Sequence, residues 1–367
     1  MGVLVAPRPA CLAQNRETHS RLQAVKSDGT SAWDGTLPFT LRGVLLNDPE
    51  ELLDFSPRFV PWNGGAGVGQ MGGQWQIFIQ AADPEEDRGG TACWMGQNYG
   101  NLPWIRDEAK SYTDAEWLAE IRRLSRDPLT NHRFRKGDLV EVSARRSLFY
   151  GGKRNINEAH DKSPDADFSI RLVWADYGLP EPELITLADL VRPDDGDPTT
   201  REDIFDPTRQ TGGERYQGVR VRINGLRFTD ASGWGRMAWG ERLCRVTDGT
   251  RRFFPVRTSL RAWGPPPTGE FDAIGILNQE SGSGTDGTCG YELFVQEIVV
   301  HDPPRLQISV ISWPAEAEGF QLEFTDALPA AGWQGVPATP QLRNGCWLVH
   351  ELVGPDAHRF YRLKQAR

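Results

Sequence analysis

Gln74–Gln80 reads QWQIFIQ, and this alternation constrains the fold more than any other stretch of the chain. Trp75, Ile77 and Ile79 share one side of a period-two ladder, and Gln76, Phe78 and Gln80 share the other. Successive side chains of a strand point to opposite faces, so the pattern marks a half-buried β-strand. The alternation returns in Gln217–Phe228 (QGVRVRINGLRF), where Val219, Val221 and Ile223 oppose Arg220 and Arg222. Between such runs the chain is punctuated by 39 glycines and 26 prolines, which favours many short strands joined by turns. A length of 367 residues calls for two or three domains rather than one.

Residues 37–176 give the order of a first domain. Thr40–Leu46, Gln74–Gln80, Thr91–Gly96, Leu139–Ala144 and Phe168–Ala175 read as strands. One helix falls among them. Thr113 and Glu116 form a capping-box start, Trp117, Leu118, Ile121 and Leu124 recur at helical spacing, and Pro128 ends it. Five strands with a helix between the third and fourth is the order of the OB barrel. After a linker at 177–213, rich in Pro, Asp and Thr, residues 214–303 repeat the count with strands at 217–228, 242–247, 252–258, 271–277 and 291–298. Here a Pro-rich loop at 264–268 stands where the helix would be. Residues 304–367 carry short strands and Trp313, Trp333 and Trp347, enough to fill a small β-sandwich. The apolar run at 1–5 is too short for the core of a secretory signal, and residues 13–36 are polar and contain Gly and Ser, so residues 1–36 read as a weakly ordered leader. The expected fold class is therefore mainly β: two OB-like five-stranded barrels and a small C-terminal sandwich.

The phrase GDLVEVSARR, followed by YGG and NI, resembles the fourth-strand pattern of OB modules, and the closing HRFYRL resembles the end of small fibronectin- or Ig-like domains of secreted bacterial proteins. Residues 37–303 as a whole resemble uncharacterised OB-fold regions of bacterial extracytoplasmic proteins, some of which accompany secreted nucleases. That resemblance implies a fold and an extracytoplasmic or secreted location. It carries no active site with it.

The chemistry-bearing residues set limits. A net charge of −9 repels the phosphate backbone at long range, which disfavours bulk coating of nucleic acid but not a local groove. No apolar run is long enough for a membrane-spanning helix. No HExxH, CxxC, EF-hand, GxSxG or phosphate-loop pattern occurs, so neither a metal nor a cofactor is expected. The nearest donor cluster, Asn155 to Asp161 with Glu158 and His160, reads either as a weak site or as a turn held by its own side chains. Of the five cysteines, Cys244 and Cys289 are placed for a disulfide within one domain, and buried reduced thiols are the competing reading.

Binding is better supported than catalysis. OB barrels bind on the face of strands two and three and on the loops joining strands 1–2 and 4–5. In the first domain this selects Phe78, Trp94, Tyr150, Lys153 and Arg154. The aromatic faces would stack on bases or sugars and the cations would meet phosphate or carboxylate. The competing reading is that Phe78 and Trp94 pack under the helix or against the second barrel. In the second domain Arg220 and Arg222 lead an arginine set completed by Arg227, Arg242, Arg245, Arg251, Arg252 and Arg257. It is either an anion-binding patch or a set of ion pairs with carboxylates such as Glu241, Asp248 and Glu297. The expected function is a non-catalytic binding or assembly module acting outside the cytoplasm, with a protein partner or self-assembly in view. Single-stranded nucleic-acid or oligosaccharide binding by the first domain is the second expectation, and a hydrolase site near Glu158 and His160 the third.

Overall fold

The structure, a computed structural model, describes residues 15–54, 72–101, 105–157, 168–192, 202–301, 307–317, 319–329, 332–343, 345–353 and 359–365. The chain is mainly β and divides into two compact units, Met1–Val300 and His301–Arg367. Both barrel-like regions expected from the sequence thus lie in one unit.

The first sheet of that unit is built from β1 (Asn15–Arg16), β2 (Phe39–Leu45), β3 (Gln74–Gln80), β4 (Gly90–Gly96), β5 (Leu139–Ala144), β6 (Ser147–Tyr150), β7 (Lys153–Asn157) and β8 (Ser169–Trp174). Their order is β6-β7-β4-β3-β2-β5-β8, with β1 alongside β2. A short helix α1 (His19–Leu22) follows β1, and α2 (Asp114–Leu124) lies between β4 and β5. Thr113 and Glu116 form the expected capping box, and Trp117, Ile121 and Leu124 are buried while Leu118 faces solvent. Trp75, Ile77 and Ile79 join Phe39, Leu41, Val142, Trp117 and Phe168 in one core.

Each strand expected in this region forms, yet among the described residues the sheet runs as an open path instead of a closed five-stranded barrel. The reason is local. After β5 the chain turns at Gly151-Gly152 to make the hairpin β6–β7, and β7 lies parallel to β4. The strand expected to close the barrel, β8, pairs with β5 at the other edge.

The second sheet does close. Its strands are β9 (Glu183–Ile185), β10 (Arg220–Asp230), β11 (Leu243–Thr247), β12 (Phe253–Thr258), β13 (Phe271–Gln279) and β14 (Tyr291–Val300), with helix α3 (Gly212–Arg215) before β10. β11 pairs with both β10 and β12, β12 runs parallel to β14, and β13 joins β14 to β10, which completes a five-stranded ring. Val219, Val221, Ile223, Val246, Phe254, Val256, Phe271 and Leu293 fill it. Ile185, Leu187, Leu190 and Val191 belong to the same core, so much of the expected 177–213 linker is part of the barrel.

Sheet and barrel meet through a third apolar cluster of Leu46, Leu52, Phe78, Ala92, Ile276 and Phe294. Phe78 and Phe294 meet edge to face at 5.7 Å. At one end of the junction the two backbones touch. The Gly90 N–H donates to Gln217 O at 3.1 Å, and a Cβ on Gly90 would stand 2.0 Å from Gly218 O. Only glycine permits that approach. Polar bonds add to it: Gln296 Nε2 donates to Leu46 O at 2.7 Å and the Arg220 N–H donates to Gln80 Oε1 at 2.8 Å.

Residues 15–36, expected as a weakly ordered leader, are instead packed on the first sheet. Leu22 and His19 are fully buried, and Gln23 Nε2 donates to Arg154 O at 2.7 Å while its Oε1 accepts from the Arg154 N–H at 3.0 Å. Residues 1–14 lie outside the described residues.

The C-terminal unit has β15 (Gln307–Pro314), β16 (Phe320–Thr325), β17 (Gln334–Gly335), β18 (Gln341–Arg343), β19 (Cys346–Val353) and β20 (Phe360–Gln365). They form two three-stranded sheets, β15-β19-β18 and β17-β16-β20, around Trp313, Leu322 and Val349. Trp347 packs against that core, and the Arg362 guanidinium lies 4.3 Å over the Trp333 ring.

Two measurements check this account. Phe78→Ala removes a fully buried ring from the junction and is expected to lower stability by about 3–5 kcal/mol in chemical denaturation. An unchanged midpoint would contradict the shared cluster. The second concerns Glu214 and His19, whose burial works in opposite directions. Burial raises Glu214 from 4.5 to about 7, against the pull of Arg209 and a hydrogen bond from Tyr291. Burial lowers His19 from 6.5 to about 4, against Asp87. Glu214 therefore contributes stability below its unfolded value that is lost as pH rises toward 7, and His19 contributes stability above 6.5 that is lost as pH falls toward 4. Between those limits the two slopes oppose each other. Glu214→Gln deletes one slope, so the variant should gain on its parent by roughly 3 kcal/mol between pH 4.5 and 7. A difference that does not change with pH would refute the assignment.

Candidate ligand-binding cleft

The face of β3 turned away from Trp75, Ile77 and Ile79 carries Gln74, Gln76 and Phe78. Strand register extends that face across the sheet. Gln76 lies opposite Trp94 on β4, and Trp94 lies opposite Asn157 on β7. Alternation along β7 adds Asn155 and Lys153, and along β6 it adds Leu148 and Tyr150. The barrel supplies the facing wall: Asn278 on β13 opposite Glu292 on β14, with Phe294 two residues on and Glu280 just past β13. With Tyr99 and Trp239 these residues enclose a cavity of about 280 Å³. That is close to the lower end of the range for small-molecule sites, about 300–1,000 Å³.

The charges in the walls are engaged internally. Lys153 is buried and its Nζ donates to Gln279 O at 2.8 Å and to Glu280 at 3.0 Å. Glu292 pairs with Arg257 at 3.1 Å, and that guanidinium lies 4.7 Å over the Trp239 ring and donates to Trp239 O at 2.6 Å. Burial and the nearby Glu280 carboxylate raise the Tyr150 phenol, whose hydroxyl donates to Gly282 O at 3.1 Å. Burial alone raises Tyr99.

What remains is aromatic surface and amide. Trp94 is half-buried and meets Tyr99 at 6.1 Å. Trp239 meets Phe294 edge to face at 5.4 Å. Asn157 Oδ1 accepts from the Leu148 N–H at 3.1 Å. Asn155 and Asn278 are buried, and the Oδ1 atom of each has no hydrogen-bond partner among the described residues. The arrangement suits holding a polar ring.

The β6–β7 turn fixes one end of the cleft. The Gly151 N–H donates to Ser283 O at 3.0 Å and Gly151 O accepts from the Ser281 N–H at 3.1 Å. Gly152 has φ +93°, and a Cβ there would lie 2.3 Å from the Gln279 side chain. Tyr150 and Lys153 flank this turn, so its tie to the barrel loop sets where they stand.

The structure brings together three of the residues singled out in the sequence: Trp94, Tyr150 and Lys153. Phe78 shares their face but is fully buried under Phe294, which corrects its expected role as a stacking platform. Arg154 points to the other side of β7, 4.6 Å over the Trp33 ring with Nη2 donating to Ser31 Oγ at 2.7 Å, and there it holds the 15–36 segment. Arg220 donates to Pro180 O at 3.0 Å and Arg222 pairs with Asp272 at 2.5 Å, so neither reaches the cleft. Their neighbours Arg227, Arg252 and Arg257 pair with Glu270, Asp248 and Glu292, and Arg242 is buried against Leu53 O and Met237 O. Four of the eight arginines are thus in ion pairs and two more donate to backbone carbonyls, which favours the ion-pair reading for the set. Glu158, His160 and Asp161 lie outside the described residues. No disulfide joins Cys244 to Cys289: Cys244 is a free thiol in the barrel core, and Cys289 Sγ donates to Asp286 at 3.3 Å.

Gln74, Gln76, Asn155, Asn157, Asn278 and Glu292 were missed by sequence reasoning. Their signal was amides at alternate positions of strands, where an ordinary core face would be apolar.

No protein-family model matches the chain, and no curated protein matches it.

Gly152→Ala places a side chain at positive φ and against Gln279. It is expected to lower stability by about 1–3 kcal/mol in chemical denaturation, and a parental midpoint would show that the turn is not held as described.

Proposed function

We propose that the chain is a non-catalytic binding module whose ligand occupies the cleft between the open sheet and the barrel. The observation that carries this is the composition of the walls: aromatic rings and amides converge there, and the charged side chains among them are paired with one another. A site for proton transfer or nucleophilic attack needs an ionisable group left available to the substrate. Here Lys153 and Glu292 are committed to Glu280 and Arg257.

The closed barrel is read as an OB fold. Numbered from β10, its ring order is one, two, three, five, four, with the third and fifth strands parallel. That order supports the reading. The two-sheet C-terminal unit is read as a small sandwich, and its role as an attachment or assembly element follows from the likeness of its closing strand to secreted bacterial domains. The same likeness is the basis for placing the protein outside the cytoplasm. No described helix is long and apolar enough to cross a membrane.

The test is titration of the full chain with single-stranded DNA, RNA and neutral oligosaccharides, followed by tryptophan emission. One class should give a saturable response, weakened about tenfold or more by Trp94→Ala, in the range of one stacking contact. Binding that is indifferent to Trp94→Ala would move the ligand elsewhere. No response from any class would favour assembly with a protein partner.

A further inference from the structure

The cleft holds polar atoms that no described residue satisfies. Asn155 is 7% exposed and Asn278 is 1% exposed, both line the cavity, and the Oδ1 atom of each lacks a hydrogen-bond partner among the described residues. Asn278 Nδ2 reaches Glu292 Oε1 at 3.4 Å, which fixes which end of that amide is left over. A buried acceptor without a donor destabilises a fold, and the great majority of buried polar groups are paired. Two residues with such acceptors stand on opposite walls of one cavity, one on the sheet and one on the barrel.

The ligand's charge follows from the ion pairs. A phosphate needs an available cation, and the buried Lys153 already contacts Gln279 O and Glu280. An ammonium needs an available carboxylate, and Glu280 and Glu292 are held at 3.0 Å and 3.1 Å by Lys153 and Arg257. The half-buried Trp94 adds a ring face beside these amides. A neutral molecule with hydroxyl donors around an apolar ring face meets all three conditions, because each hydroxyl both donates and accepts while the C–H face packs on indole.

Resting on the binding reading above, we infer that the cleft takes a neutral sugar ring of an oligosaccharide, with hydroxyls donating to Asn155 Oδ1 and Asn278 Oδ1 and the ring face on Trp94. Nucleic acid is the class it disfavours, since the one cation among the described lining residues, Lys153, is already paired with Glu280.

The experiment uses the full chain, with neutral pentasaccharides of gluco, galacto, manno and N-acetylglucosamine configuration as probes and oligothymidine for comparison. Binding is followed by tryptophan emission at low and moderate salt, and thermal unfolding is measured without ligand. At least one pentasaccharide should bind with little dependence on salt. Asn155→Leu should weaken that binding by about tenfold, the equivalent of one ordinary hydrogen bond, while leaving the unfolding midpoint of the ligand-free protein equal or higher. Asn278→Leu is the second variant, read the same way. A merely structural asparagine would instead lower the midpoint and spare the affinity, and that result from both variants would overturn the inference. So would pentasaccharide binding unchanged in both variants. Saturable, salt-sensitive binding of oligothymidine alone, weakened by Trp94→Ala, would overturn the sugar assignment and leave the cleft reading standing. Failure of every probe would remove both.

Discussion

Everything that gives this protein a candidate site depends on two β surfaces packing face to face. The open sheet presents β3, β4 and β7, and the barrel presents β13 and β14. At the apolar end Phe78 and Phe294 exclude water, and the Gly90–Gly218 contact lets the backbones approach closely. Packing of this kind normally continues until a face is covered. Here apolar side chains give way to Gln76, Trp94, Asn155 and Asn278 farther along the same strands, and the surfaces part around a cavity. The candidate site is the unfilled remainder of the junction between sheet and barrel within one compact unit.

The same strands therefore serve both ends of the junction. On β3, Phe78 contributes burial and Gln76, two residues away on the same face, contributes polarity. On β14, Phe294 touches both the cluster and the cavity, and Glu292 with Arg257 brings a neutralised charge pair to the wall. Stability concentrated at the apolar end allows the polar end to carry two unsatisfied amide oxygens. The residues that line the cleft are thus anchored by the buried apolar cluster beside them, the kind of support a preformed pocket requires.

Much of the fold was legible in the residues, and what was legible was local. Gln74–Gln80 and Leu139–Ala144 form strands at the positions their alternation marks, and Thr113 with Glu116 caps the helix as expected. Pairing was less accessible. Nothing in YGGKRNIN states that the hairpin will place β7 parallel to β4 and leave the sheet open, because that depends on chain segments some 60 residues apart in contact. For Phe78 the residues left two readings open, a stacking platform or packing against the second barrel, because alternation assigns a face but not what covers it, and the cover is Phe294. Trp94, Tyr150 and Lys153 were singled out because the expected OB pattern points to their strands and loops, and the structure places them around the cleft. Asn278 and Glu292 were missed because their relevance comes only from the barrel's docking onto the first sheet.

In the proposed reading the opening at this junction is a sugar site. The most direct measurement is a crystal structure of the full chain grown with the neutral oligosaccharide that binds most tightly. Ring density is expected on the Trp94 face, with ligand oxygens at hydrogen-bond distance from Asn155 Oδ1 and Asn278 Oδ1. Density elsewhere on the molecule, or a cleft occupied by a side chain of the protein itself, would contradict it.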